Sequence, residues 1–159
     1  DIFVRPIRPE DAPLLVGLFD SLSSRSVYMR FFTPLKRLPQ GMLARFTQID
    51  YDLEIALVAL SESGSEERML GVARVITERN RKHAEFSVVV ADAWQGQGIG
   101  AELLMRCLKI AEEQKIEKVW GVVLSENTQM LALGKKFGFS FKKVPGESEY
   151  ELSMDLCKN

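Results

Sequence analysis

Three glycines at alternate positions, Gly96, Gly98 and Gly100, stand between a valine run at 88–90 and an amphipathic stretch that begins at 98. Valines in a run read as a strand. Leu103, Leu104, Cys107, Leu108 and Ala111 form one apolar stripe of a helix over 98–114. The chain must therefore pass from strand to helix through a glycine-rich turn. Glycine in a helix costs about 1 kcal/mol relative to alanine, so packing alone is a poor reason to place three there. Glycine lets the backbone approach a guest closely and turn its N–H groups outward. At a helix N-terminus those groups and the helix dipole favour a phosphate or pyrophosphate. A tight strand-to-helix connection without a ligand is the other reading of the same residues.

The elements around this turn predict the sheet. Residues 2–8 read as a strand, with Pro6 suited to an edge. Helical spacing begins after Pro9-Glu10-Asp11 and continues to Leu22. Further helices are expected over 23–32, broken at Pro34, and over 40–49, followed by a turn at Asp50-Tyr51-Asp52. Residues 54–60, 69–77 and 84–91 read as an antiparallel meander, with polar loops at 61–68 and 79–83. After the glycine turn come helix 98–114, strand 119–124, helix 128–137 and strands 139–144 and 150–156. The expected fold class is α/β: a mixed, mostly antiparallel sheet with a parallel βαβ crossover and flanking helices.

Composition removes several function classes. With 159 residues, the chain is expected to form a single domain over 1–159. Its 46% hydrophobic content is too high for disorder. No apolar run approaches the roughly 20 residues that span a bilayer, so no membrane role is expected. Lysine plus arginine total 21 against 22 acids, and this balance lacks the basic excess of a nucleic-acid binder. Cys107 and Cys157 have no CxxC spacing, so no metal site is expected. They read as small apolar residues of a reduced, cytoplasmic compartment, with a disulfide pair as the alternative. The single histidine, His83, falls in a polar turn, which leaves no basis for a Ser-His-Asp triad. No targeting peptide is visible. The chain starts at Asp1 without methionine, as expected of a domain excised from a longer protein.

Two phosphate motifs fail. A Walker loop needs Gly-Lys-Ser/Thr, and Gly98-Ile99-Gly100 has no lysine. A dinucleotide fingerprint needs GxGxxG after a first strand; here the spacing is GxGxG and comes late. The segment Gln95-Gly96-Gln97-Gly98-Ile99-Gly100-Ala101 instead resembles the Q/R-x-x-G-x-G/A signature of GNAT-superfamily acetyltransferases. Asn127, Leu133 and Lys136-Phe137-Gly138-Phe139 resemble that family's second motif. Residues 5–12 and 23–32 are similar to the acetyltransferase domain of bacterial Pat-type protein lysine acetyltransferases, and so are Asp50-Tyr51-Asp52, 71–74 and Ala84-Glu85-Phe86. That domain is often fused to an acyl-CoA synthetase-like or other regulatory region.

The resemblance implies an acetyl-CoA-dependent N-acetyltransferase acting on an amine, with protein lysine as the acceptor and an acyl-CoA synthetase as a candidate partner. A small-molecule amine acetyltransferase and a silent acetyl-CoA-sensing domain are the alternatives. It implies that Val88, Val89 and Val90 bond the pantetheine arm through their backbone, with an N–H near Val88 polarising the thioester carbonyl. Gln95, Gly96, Gln97, Gly98, Ile99, Gly100 and Ala101 would hold the pyrophosphate, and the Asn127 amide would touch the cosubstrate. Asn127 suits a helix N-cap equally well. Glu85 is the candidate general base, its pKa raised by burial beside Ala84 and Phe86. An exposed ion pair with Arg74 or Arg81 is its other reading. The position where many relatives carry a tyrosine as general acid is Gly134 here. Ser26, Tyr28, Arg30 and Phe32 fall where such folds cover the acceptor.

Overall fold

The computed structural model describes residues 2–63 and 66–156. Its strands are β1 (Ile2–Pro6), β2 (Glu54–Ser63), β3 (Glu66–Thr77), β4 (His83–Val90), β5 (Lys118–Leu124), β6 (Ser140–Lys143) and β7 (Glu149–Asp155). Its helices are α1 (Ala12–Ser21), α2 (Ser24–Phe31), α3 (Gln40–Thr47), α4 (Ile99–Glu113) and α5 (Thr128–Phe137). The strands form one sheet in the order β1-β2-β3-β4-β5-β7-β6. Among the described residues only β4 and β5 run parallel; every other neighbouring pair is antiparallel. The expected meander and βαβ crossover are both present, and Pro6 lies on an edge strand, where its missing N–H costs no ladder bond.

Two expectations need correction. The polar loop expected over 61–68 is largely strand: Ser61 pairs Arg68 and Glu62 pairs Glu67. Backbone pairing carries on past the buried stretch because the ladder does not need apolar side chains. His83, expected in a turn, is the first residue of β4, and its N–H donates to Asn80 Oδ1. Cys157 lies outside the described residues, while Cys107 is a free, buried thiol.

Side-chain alternation divides the core between the two faces of the sheet. Ala73, Val75, Ala84, Phe86 and Val119 pack with Leu103, Leu104 and Cys107 of α4. Val58 and Val72 pack on the other face with Leu15 and Leu18 of α1. Arg74 shares this second face and is nonetheless buried. Its Nη1 donates to Glu54 Oε2 at 3.1 Å, and its guanidinium lies 4.4 Å from the Phe46 ring centroid.

Candidate active site

β4 and β5 part company early. They pair through His83–Lys118, Ala84–Val119 and Glu85–Trp120, and there the ladder ends. On its other side β4 remains paired with β3 as far as Val90. Alternate peptide groups of residues 86–90 therefore face a gap instead of a neighbouring strand. A cleft of about 560 Å³ occupies this region, lined by Val88, Val89, Val90, Gly98, Gly100 and Asn127 among others. This volume lies within the usual range for a small-molecule site.

The glycine turn forms one end of the cleft. Gly96 and Gly98 have φ values of +78° and +88°, which disfavour any residue with a Cβ. Gly98 is the N-cap of α4, and Glu102 N–H donates to its carbonyl at 3.0 Å. The N–H groups of Ile99, Gly100 and Ala101 consequently have no acceptor within the helix. Gln95 braces the turn: its Nε2 donates to Val90 O at 3.0 Å, tying the glycines to β4 and occupying the Val90 carbonyl. Its Nε2 also reaches Ser26 Oγ at 3.4 Å.

The opposite wall comes from α5 and from α2. Asn127 lines the cleft and also caps α5, its Oδ1 accepting from Met130 N–H at 3.2 Å. The cap is therefore formed, and the residue also stands where a cosubstrate contact is open to it. Asp92 secures the start of α2, accepting from Ser23 N–H and from Ser26 Oγ, each at 3.1 Å. Arg25 Nη2 donates across to Glu126 O at 3.2 Å. Asp92, Trp94, Arg25 and Lys136 all line the cleft, though sequence reasoning assigned them no site role. Asp92 and Trp94 stand within the same strand-to-glycine segment, the one local signal that pointed to them. Lys136, from the last turn of α5, adds a cation to the lining.

Ten of the eleven residues expected to bind a cosubstrate line this one cleft; Gln97 does not. Glu85 also falls outside the lining and occupies the last paired position of β4, where the two strands begin to separate. Its side chain is exposed and shares a face with Ile76 and Trp120, opposite to Ala84 and Phe86. Its pKa is raised by partial burial, with Arg30 opposing the rise and Glu78 adding to it. The Arg74 alternative is not formed, because Arg74 pairs with Glu54. Gly134 is buried, and a Cβ there would lie 2.5 Å from Leu152 Cδ2, so a tyrosine would have to displace Leu152. Among the described residues, no tyrosine lines the cleft.

A family model described as an acetyltransferase (GNAT) domain matches residues 1–140. The chain belongs to the GNAT acetyltransferase family. This acetyltransferase is 27% identical over 147 residues to an acetyltransferase of Pseudomonas aeruginosa, covering 92% of this chain and 79% of that one. It is 25% identical over 137 residues to the acetyltransferase Pat of Mycolicibacterium smegmatis, spanning 86% of this chain but 40% of that longer protein. The GNAT domain of S. lividans PAT superposes with a TM-score of 0.86 at 29% identity, over 96% of this chain and 89% of that one. A structure from Salmonella typhimurium that contains acetyl-CoA shares the fold, with a TM-score of 0.78 at 18% identity over 99% and 95% of the two chains. Among the described residues, no helix is long and apolar enough to cross a membrane, and no cluster of metal-ligating side chains is present.

Proposed function

We propose that this acetyltransferase moves the acetyl group of acetyl-CoA to the side-chain amine of a protein lysine. One observation supports the reading above others: Glu85 stands where β4 and β5 separate, on the face that α2 covers. The likeness to the GNAT domain of S. lividans PAT supports a lysine acceptor. The residues that would hold the cosubstrate fit its chemistry. Peptide groups of residues 86–90 offer hydrogen bonds to an extended amide-bearing arm. The first amides of α4, with Lys136 nearby, offer donors to a pyrophosphate.

A thioester supplies an activated acyl carbon. A lysine amine has a pKa near 10.4, so about 1 in 2,500 is neutral at pH 7, and reaching that form costs roughly 4.6 kcal/mol. A positioned base contributes about 10²–10⁴-fold, a comparable magnitude. Glu85 takes the amine proton, directly or through one water. A backbone N–H near Val88 donates to the carbonyl oxygen as negative charge develops there. With no side chain at Gly134, the thiolate leaves without a tyrosine and takes its proton from solvent.

Incubation of acyl-CoA synthetases with the domain and acetyl-CoA, followed by mass spectrometry, tests this assignment. Acetyl-lysine that depends on Glu85 is the expected result. Thiol release with small amines alone, and no acetylated protein, would replace the lysine reading.

A further inference from the structure

A second, smaller cavity lies beneath α1, α2 and α3, against the face of the sheet opposite α4. It measures about 20 Å³, room for one water-sized guest. Leucines, phenylalanines and valines make most of its wall, and the polar side chains among its lining residues are Arg30, Arg74 and Ser87. Only 2% of the Arg74 side chain remains exposed. Glu54 takes its Nη1, while its Nη2 is buried with no hydrogen-bond partner among the described residues. A buried donor left without an acceptor destabilises the fold, and a charged one does so most.

Arg30 meets the same cavity with no ion pair or side-chain hydrogen bond among the described residues; its guanidinium lies 4.8 Å from the Phe31 centroid and 5.7 Å from that of Phe46. Burial and the nearby Arg74 charge lower its pKa to about 10, against a favourable effect of Glu85. No carboxylate or amide side chain is among the lining residues. Two guanidinium-bearing side chains and one hydroxyl-bearing side chain therefore line a small, mostly apolar chamber. A water could accept from the arginines and donate to the Ser87 hydroxyl, but it would leave the two neighbouring positive charges uncompensated. A monoanion accepts from every side and offsets two neighbouring positive charges.

We propose that the cavity between Arg30 and Arg74 is a binding site for one small monoanion, a halide or the end of a carboxylate. Arg74 Nη2 and Arg30 donate to it, with the Ser87 hydroxyl within the same wall. Arg30 also lines the acetyl-transfer cleft. An anion held here sits beside the cation that faces Glu85. The carboxylate could be free in solution or carried by an acceptor, and the two sources can be told apart.

Crystals of the protein grown in bromide test the site directly. An anomalous peak within hydrogen-bond reach of Arg74 Nη2 is expected; a water or empty density there overturns the proposal. In solution, bromide and formate should each raise the melting temperature saturably at constant ionic strength. That shift should vanish in Arg74→Met. Because Arg74→Met leaves Glu54 without its partner, the paired variant Glu54→Gln/Arg74→Met is measured beside it. An unchanged response in a folded variant also overturns the site. Displacement of bromide by L-lysine but not by lysinamide assigns the anion to an acceptor carboxylate; retention against both assigns it to a free ion. The bromide peak and the melting shifts need no acceptor, so they are independent of whether protein lysine is the acceptor.

Discussion

Phe86 lies against Gly121 at the point where β4 and β5 stop pairing. A Cβ on Gly121 would come within 2.6 Å of the Phe86 ring. The ring also packs on Phe139, with centroids 5.1 Å apart. Gly121→Ala should therefore force the ring to move, costing about 1–3 kcal/mol in a urea denaturation series. Because Phe86 directly follows the last β4 residue paired with β5, displacing its ring should shift the strand that lines the cleft, and acetyl-CoA should also bind more weakly by calorimetry. A variant as stable as the parent would show that the ring has room to retreat.

Glu85→Gln should lower kcat by about 10²–10⁴-fold while leaving acetyl-CoA affinity nearly unchanged. Retained turnover at neutral pH would remove Glu85 from the mechanism. As a base, Glu85 works in its deprotonated form, so kcat/KM should rise with pH through its pKa. Burial places that limb above the value of an ordinary glutamate. Arg30 opposes the rise, so Arg30→Met should move the limb to higher pH.

Gly98→Ala separates backbone strain from crowding. No atom lies within 4 Å of a Cβ at this site, yet φ is +88°. The expected cost is about 1–2 kcal/mol, arising from the left-handed backbone alone. A matching loss of acetyl-CoA affinity would show that the turn relaxes away from its binding shape.

Asn127 invites two substitutions. Asn127→Ala removes the cap on α5 and should cost about 1 kcal/mol of stability. Asn127→Ser can keep the cap while withdrawing the amide from the cleft. If the serine variant regains stability but not acetyl-CoA affinity, the amide touches the cosubstrate. Recovery of both would leave capping as its whole role.

Cys107 should make the fold sensitive to alkali. Burial pushes its thiol from an ordinary value of 9.0 to about 12. Between those values the unfolded thiol has lost its proton and the folded one has kept it. The unfolded state thus binds fewer protons, and stability falls as pH rises through this window. Cys107→Ala should flatten the decline in thermal melts taken across it.

The sheet was legible because strand and helix periods differ so clearly on either side of the glycine turn. Gln95, Gly96, residues 98–101 and Asn127, which line the cleft, stood out for the same reason: their signals are local. One exception was the loop expected at 61–68, where charged residues concealed paired strands; His83 at the start of β4 was another. The surroundings of Glu85 were less legible. Ala84 and Phe86 flank it in sequence, but alternation sends them to the other face, and the groups that tune its pKa come from α2 and from Glu78. Such tertiary neighbours leave no spacing to read. Arg74 carried no sign in sequence that it would be buried with half of its fork unmatched.

The parting of β4 and β5 has a further consequence. An unpaired strand edge on the outside of a protein invites a foreign strand and, with it, aggregation. Here the unpaired edge is at the centre of the sheet, in a cleft lined by residues of α2, α4 and α5. A polypeptide strand would have to bring side chains on both of its faces into that passage. A slim chain with amides and no side branches would not. The separation should thus favour a slim amide chain over a whole polypeptide strand.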